Sequence, residues 1–464
     1  MKALFACLAA LLLAGCATFS EDGGFGAVEG AVQQRTGKQT RWVKTDQDAD
    51  GVRATVKTLL AKPLSADDAV QIALLNNPGL QASYAELGVA EADLVQAGRL
   101  PNPRLSYLRA RHGDEYKIES AFTFNLFALV TVPLATEIEK RRFEQAKLAA
   151  ALEALRVANE TRRAWLAAVA AQETAKYFGQ VKLAAEAGAD LARRMAQVGN
   201  WSRLNQAREQ AFYAEATAML ARARQAATSE RERLARLMGL WGDDPGFSLP
   251  ERLPDMPAAA TELADAEARA LGSRLDLQAA KRDLEGLAKS LGLTRATRFI
   301  NVLEFGPARV TETPEPRKRG YEIGLEIPVF DWGSARVARA ETLYMQAVHR
   351  AAELAINARS EVREAYAAYR TAYDLARHYR DEIVPLRKRI SEEVLLRYNG
   401  MLMSVFELLA DAREQVASVN AYIESLRDFW LAEADLAMAM NGKPAGAAIR
   451  KPTAMPAGGA AAAH

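Results

Sequence analysis

Gln206-Ala207-Arg208-Glu209-Gln210 returns as Asp411-Ala412-Arg413-Glu414-Gln415, an offset of 205 (411 − 206). Leu80-Gln81-Ala82 reappears as Leu277-Gln278-Ala279, an offset of 197, and Val132-Pro133-Leu134 as Ile327-Pro328-Val329, an offset of 195. Gly199 and Gly400, 201 residues apart, each interrupt a long helical pattern. The markers keep one order, so the chain is a tandem duplication. Solenoid repeats run to about 50 residues, so each half here is a whole strand-and-helix module.

From Lys140 to Phe178 the chain has neither proline nor glycine, and its Ala-rich helical pattern continues to about Val198. A helix of that length is roughly 85 Å long at about 1.5 Å per residue. Globular helices rarely exceed about 25 residues, so a coiled coil is the natural reading. Gly199-Asn200 breaks it, and a second helix runs over Arg203–Met238. The Gly- and Pro-rich stretch Gly239–Pro257 separates the halves. The second half predicts a helix over Asp265–Leu291, a very long helix from Ser334 with a kink at Pro385, and a last helix over Val405–Met440.

Strands lie between these helices. Pro101-Asn102-Pro103 ends a helix and leads into a strand over Arg104–Ala110, then a turn at His112–Glu115. The returning strand sets Ile118, Ser120, Phe122, Phe124 and Leu126 against Lys117, Glu119, Thr123 and Asn125, and strand character is expected to reach Val132-Pro133-Leu134. In the second half a strand is expected over Phe299–Phe305 and a charged loop over Thr311–Gly320. A last strand, Tyr321–Val329, sets Tyr321, Ile323, Leu325, Ile327 and Val329 against Glu322, Gly324 and Glu326. Period two over about ten residues suits a tilted membrane strand. Four strands cannot close a barrel, and open edges are not tolerated in lipid. Three copies would supply about twelve strands, so the chain argues for its own oligomer. The fold class is α+β, mainly α.

The first residues are a secretion signal: Met1-Lys2, an apolar stretch from Ala3 to Leu13, then Leu13-Ala14-Gly15-Cys16. The last four residues fit a bacterial lipoprotein signal, with 1–15 removed and Cys16 lipidated. Ala17, rather than an aspartate, favours the outer membrane. The expected organisation is an extended lead over 17–62, a first repeat over 63–248, a second over 258–443 and a disordered tail over 444–464. With Cys7 lost and Cys16 lipidated, no disulfide, thiol nucleophile or Cys-based metal site remains. Four scattered histidines lack ligand spacing, so neither metal nor cofactor is expected, and an enzyme is the remotest reading. A net charge of +2, with basic residues interleaved among acidic ones, gives solvated helix faces and excludes a nucleic-acid footprint.

Four stretches carry a family resemblance: Asn77-Pro78-Gly79-Leu80 with Gln81-Ala82; Gly324-Leu325-Glu326-Ile327-Pro328-Val329-Phe330-Asp331-Trp332-Gly333; Arg397-Tyr398-Asn399-Gly400; and Leu408-Leu409-Ala410-Asp411-Ala412. Over Leu64–Gly442 the chain resembles the TolC-like family of outer-membrane efflux factors. The resemblance implies a homotrimer in outer-membrane lipid, with a twelve-stranded β-barrel above a periplasmic α-barrel. It also implies two partners, a periplasmic adaptor (membrane fusion) protein and an inner-membrane efflux pump.

By the same resemblance, Glu407 and Asp411 ring the periplasmic aperture, although Ala410 separates the leucine pair from its acid. Val198-Gly199 and Asn399-Gly400 dock the adaptor, while Glu322 and Glu326 face the lumen. Met401 and Met403 stand beside the entrance, where thioethers suit Cu(I) but also simply fill coiled-coil gaps. Copper or silver is the first cargo reading, beside multidrug efflux and type I protein secretion. A lipid-anchored periplasmic coiled-coil protein of structural role is the competing class.

Overall fold

The computed structural model describes residues 18–241, 246–299 and 303–443. The signal, Cys16, Ala17 and the tail from residue 444 lie outside the described residues.

The segment read as an extended lead holds two helices, α1 (Phe25–Thr36) and α2 (Asp46–Leu60). Thr45 and Asp48 form a reciprocal capping box at the start of α2. Val28 and Val32 are buried on α1, and Val52, Val56 and Leu60 on α2. That four-residue spacing is a helical stripe, and the capping box was its sequence signal.

Next come α3 (Ala66–Asn76) and α4 (Pro78–Ala97), then β1 (Arg104–His112), β2 (Glu115–Asn125), α5 (Leu126–Gln197) and α6 (Arg203–Leu237). The second half gives α7 (Ala266–Ser273), α8 (Leu275–Thr297), β3 (Leu303–Glu312), β4 (Lys318–Leu325) and α9 (Ser334–His378). A π-helical turn (Tyr379–Ile383), α10 (Val384–Asn399) and α11 (Val405–Ala439) complete it.

Several boundaries differ from expectation. Val132-Pro133-Leu134 lies inside α5 rather than in a strand. Asn125 ends the strand by accepting a hydrogen bond from the Ala128 amide, which caps the helix there. β3 runs on through Thr311 and Glu312, and β4 starts at Lys318, so the charged loop shrinks to residues 313–317. β4 stops at Leu325, which leaves Glu326, Ile327 and Val329 beyond the strand. The break at Pro385 takes the form of a π turn, in which the Val384 amide reaches back to the Tyr379 carbonyl. A wider turn accommodates a proline that has no amide to give.

The helix expected over Asp265–Leu291 is two helices, divided at Arg274 where ψ is 125°. The same break divides α3 from α4 at Asn77, 197 residues earlier. Each break closes the end of its half's return helix. Asn76 Nδ2 donates to the Met238 and Gly239 carbonyls, both at 3.0 Å, and Asn77 Nδ2 to the Leu237 carbonyl at 2.8 Å. In the second half Ser273 Oγ donates to the Met440 carbonyl at 2.8 Å, and Arg274 Nη1 to the Ala439 carbonyl at 3.4 Å. Arg274 is wholly buried and is paired with Asp276 and Glu361 at 2.6 and 2.7 Å. The helix caps Ser202 and Ser404 set the register of the helical hairpins at an offset of 202. The two pentapeptides, 205 apart, therefore stand three residues out of structural register.

One core serves both repeats. Trp165, Leu234, Tyr369 and Phe429 are buried in it together. The stretch expected to separate the halves contributes Phe247, Leu249, Leu253 and Met256 to that core. The sheet is antiparallel in the order β1-β2-β3-β4, with β1 and β4 at open edges.

Candidate functional site

At one end of the molecule lie the two helical turns. α5 ends at Gln197 with Val198 as its C-cap, and Gly199 takes the left-handed conformation with φ 80°. In the second turn Gly400 is right-handed with φ −79°, and the left-handed residue is Met401, with φ 59°. Met401 is thus the structural counterpart of Gly199, and Gly400 is not the residue that turns the chain. Val198 is 71% exposed, Met401 94% and Leu402 82%, so the turns present apolar side chains to solvent. Asn399 is exposed beside them, while Met403 is half-buried. Trp201 and Phe406 stack at 4.7 Å with 14° between planes, which holds the two turns side by side.

Glu407 serves as the third residue of α11 and closes a capping box. Its carboxylate accepts from the Ser404 amide and hydroxyl, both at 2.9 Å. The hydrogen bond from the Ser404 amide, followed by that from the hydroxyl, lowers its pKa below the ordinary carboxylate value. Asp411 stands one turn further along the same face of α11. Its Oδ2 is buried and has no hydrogen-bond partner among the described residues.

A neighbouring pair was not read from the sequence as a contact. Arg413 donates to Glu209 at 2.6 Å, and its guanidinium lies 4.7 Å from the Phe212 ring centroid. The Glu209 side chain is only 4% exposed and that of Arg413 36%, so the ion pair that crosses from α6 to α11 is sheltered on its carboxylate side. The signal was present, since Glu209 and Arg413 come from the two copies of the repeated pentapeptide.

At the other end, strand pairing separates two faces of the sheet. The charged face, labelled inner for reference, carries Arg104 with Glu304 at 3.7 Å and Lys117 with Glu119 at 2.7 Å, and the opposite face is labelled outer. Thr123 and Glu304 meet there at 3.5 Å. Glu322 shares this face, whereas Glu326 lies past the end of β4. The outer face carries Leu105 opposite Phe122, Phe124 opposite Phe305, and Phe305 opposite Ile323. These side chains are exposed.

No group of three or more His, Cys, Asp or Glu is placed to hold a metal among the described residues. No helix there is long and apolar enough to cross a membrane.

No family model matches the chain, and no curated protein does. Solved structures do match. CusC, described for conformational changes that accompany folding and transmembrane channel formation, superposes with TM-score 0.66 at 16% identity, over 82% of this chain and 92% of that one. A membrane protein from Pseudomonas aeruginosa gives 0.70 at 19%, over 81% and 93%. The outer membrane channel CmeC of Campylobacter jejuni gives 0.67 at 18%, over 81% and 85%. The chain has the fold of these proteins, the TolC-like fold implied by its sequence motifs.

Proposed function

We propose that the chain is the protomer of a trimeric outer-membrane export duct. One observation carries this reading: a sheet with an aromatic outer face and two open edges, joined through shared helices to two turns held together at the far end. Open edges are not tolerated in lipid, and pairing β1 of one copy with β4 of the next closes a ring of about twelve strands. The helices then line a tunnel, and Glu322 faces its lumen. Glu407 and Asp411 ring the aperture at the far end, Asp411 with a carboxylate oxygen that has no hydrogen-bond partner among the described residues. The exposed turns Val198-Gly199 and Asn399-Gly400-Met401 dock a periplasmic adaptor, which connects the duct to an inner-membrane pump.

Lipidation at Cys16 suits this placement. Ser20 is tied to Glu91, its amide donating at 2.7 Å and its hydroxyl to the same oxygen. Glu91 lies on α4, the helix that precedes β1, so the start of the described chain is tied to the element that leads to the sheet.

Heat-resistant trimers and single-channel conductance in planar bilayers test the duct. A water-soluble, non-conducting particle would return the chain to the structural coiled-coil reading. Cargo belongs to the partner pump: copper or silver, hydrophobic drugs, or protein by type I secretion. A deletion strain that is sensitive to copper or silver alone identifies a metal pump and gives Met401 and Met403 a role. Sensitivity to drugs and detergents, with normal metal tolerance, removes that role.

A further inference from the structure

Above its aromatic rows the outer face of the sheet turns cationic. Tyr107, Ser120, Arg309 and Arg319 form one row across all four strands. The next row holds Arg109, Ile118 and Thr311, and Arg111 follows opposite Tyr116. All four arginines are exposed, and no carboxylate stands on this face of the strands. The carboxylates Glu119, Glu304, Glu312 and Glu322 all stand on the inner face, where Arg104 and Lys117 are paired. Arg111 is engaged, donating to the Gly113 carbonyl at 2.8 Å. Among the described residues no ion pair or hydrogen bond occupies the guanidinium of Arg109, Arg309 or Arg319.

Arg309 and Arg319 are direct cross-strand partners. Like charges placed directly opposite destabilise a strand pair. An anion between them reverses that sign, and the planar fork of arginine suits phosphate in particular. Height selects the source of the phosphate. The arginine row stands four residues above Phe305 and Ile323, about 13 Å along the strands, on the side of the hairpin turns. Tyr107, Tyr116 and Tyr321 accompany it, and tyrosines gather where hydrocarbon meets headgroups.

We propose that Arg109, Arg309 and Arg319 form a phosphate-binding band that holds phosphorylated lipid headgroups of the outer leaflet against the strand wall. The proposal rests on the duct reading, because it needs the aromatic face in lipid and the hairpins outside.

The test uses the full-length trimer in mild detergent, incubated with bis-phosphorylated lipid A and weighed by native mass spectrometry. Wild type is expected to retain the lipid. Arg309→Gln with Arg319→Gln should retain roughly tenfold less, since charge-assisted pairs to phosphate are lost. Arg309→Lys with Arg319→Lys should hold an intermediate amount, because a point charge replaces a fork. Arg104→Gln, on the inner face, should bind as wild type does. Equal retention by the double glutamine variant would overturn the proposal. So would full displacement of the lipid by millimolar inorganic phosphate, which would mark a site for free phosphate. Trimer formation and conductance are read on the same samples. A conducting variant with unchanged lipid retention removes the band alone, whereas a wild type that neither trimerises nor conducts removes the duct.

Discussion

Arg274 shows how one residue can hold a fold break in place. It is wholly buried, and it links Asp276, Glu361 and the Ala439 carbonyl. Arg274→Ala leaves two carboxylates without their partner and should destabilise the protein by about 3 kcal/mol, seen as a lower unfolding temperature. At the second turn Met401 holds a left-handed conformation that glycine adopts freely. Met401→Gly should therefore stabilise the protein by about 1 kcal/mol in thermal unfolding, whereas Gly199→Ala should destabilise it by a similar amount. Glu407 has a pKa lowered by the hydrogen bonds from Ser404. A carboxyl depressed on folding contributes stability that is present above its unfolded pKa and lost as pH falls through the lower folded value. Glu407 is thus still ionised as pH falls from neutral towards its ordinary, unfolded pKa. Conductance should be flat over that window, and a transition there that disappears in Glu407→Gln would contradict the cap.

At the scale of elements, the ends of the two helical hairpins are tied by contacts that cross between the first and second copies. Trp201 on Phe406 and Arg413 on Glu209 are two of them, beside the packing of Val416 against Val181, Ala185 and Ala216. Trp201→Ala removes a stacking term of about 1 kcal/mol beyond burial. Glu209→Gln weakens a buried pair. Both variants should raise single-channel conductance while leaving trimer yield unchanged. In the sheet, a Cβ on Gly306 would collide with the Phe122 carbonyl. Gly306→Ala should therefore loosen β2 from β3 by about 2 kcal/mol, read as loss of heat-resistant trimers. The long helices and the alternating strands were legible in the sequence because period and breaker residues act locally. Strand ends were less legible, since Asn125 stops β2 by a cap that competes with an apolar run continuing through Leu134. The helices α1 and α2 were obscured by the glycines around them, although Thr45-x-x-Asp48 announced the second. The repeated pentapeptide marked Glu209 and Arg413, but not that they touch, because the contact depends on which helix faces meet.

For the whole molecule, the repeats are neither separable domains nor exact copies. Trp165 and Phe429 share a core, and the segment between the halves packs into it. The halves keep one register at the fold breaks and another at the turns, so the first half reaches its turn with five residues fewer than the second. The return arms, however, match: α6 and α11 each have 35 residues between equivalent serine caps and equivalent methionine ends. Equal arms place both turns level. In a three-copy duct the far end then becomes a ring of six nearly equal units, alternating between a glycine turn and a methionine turn. A docking protein with one kind of binding surface would find six places on such a molecule of three chains, a stoichiometry that the equal length of two helices would set.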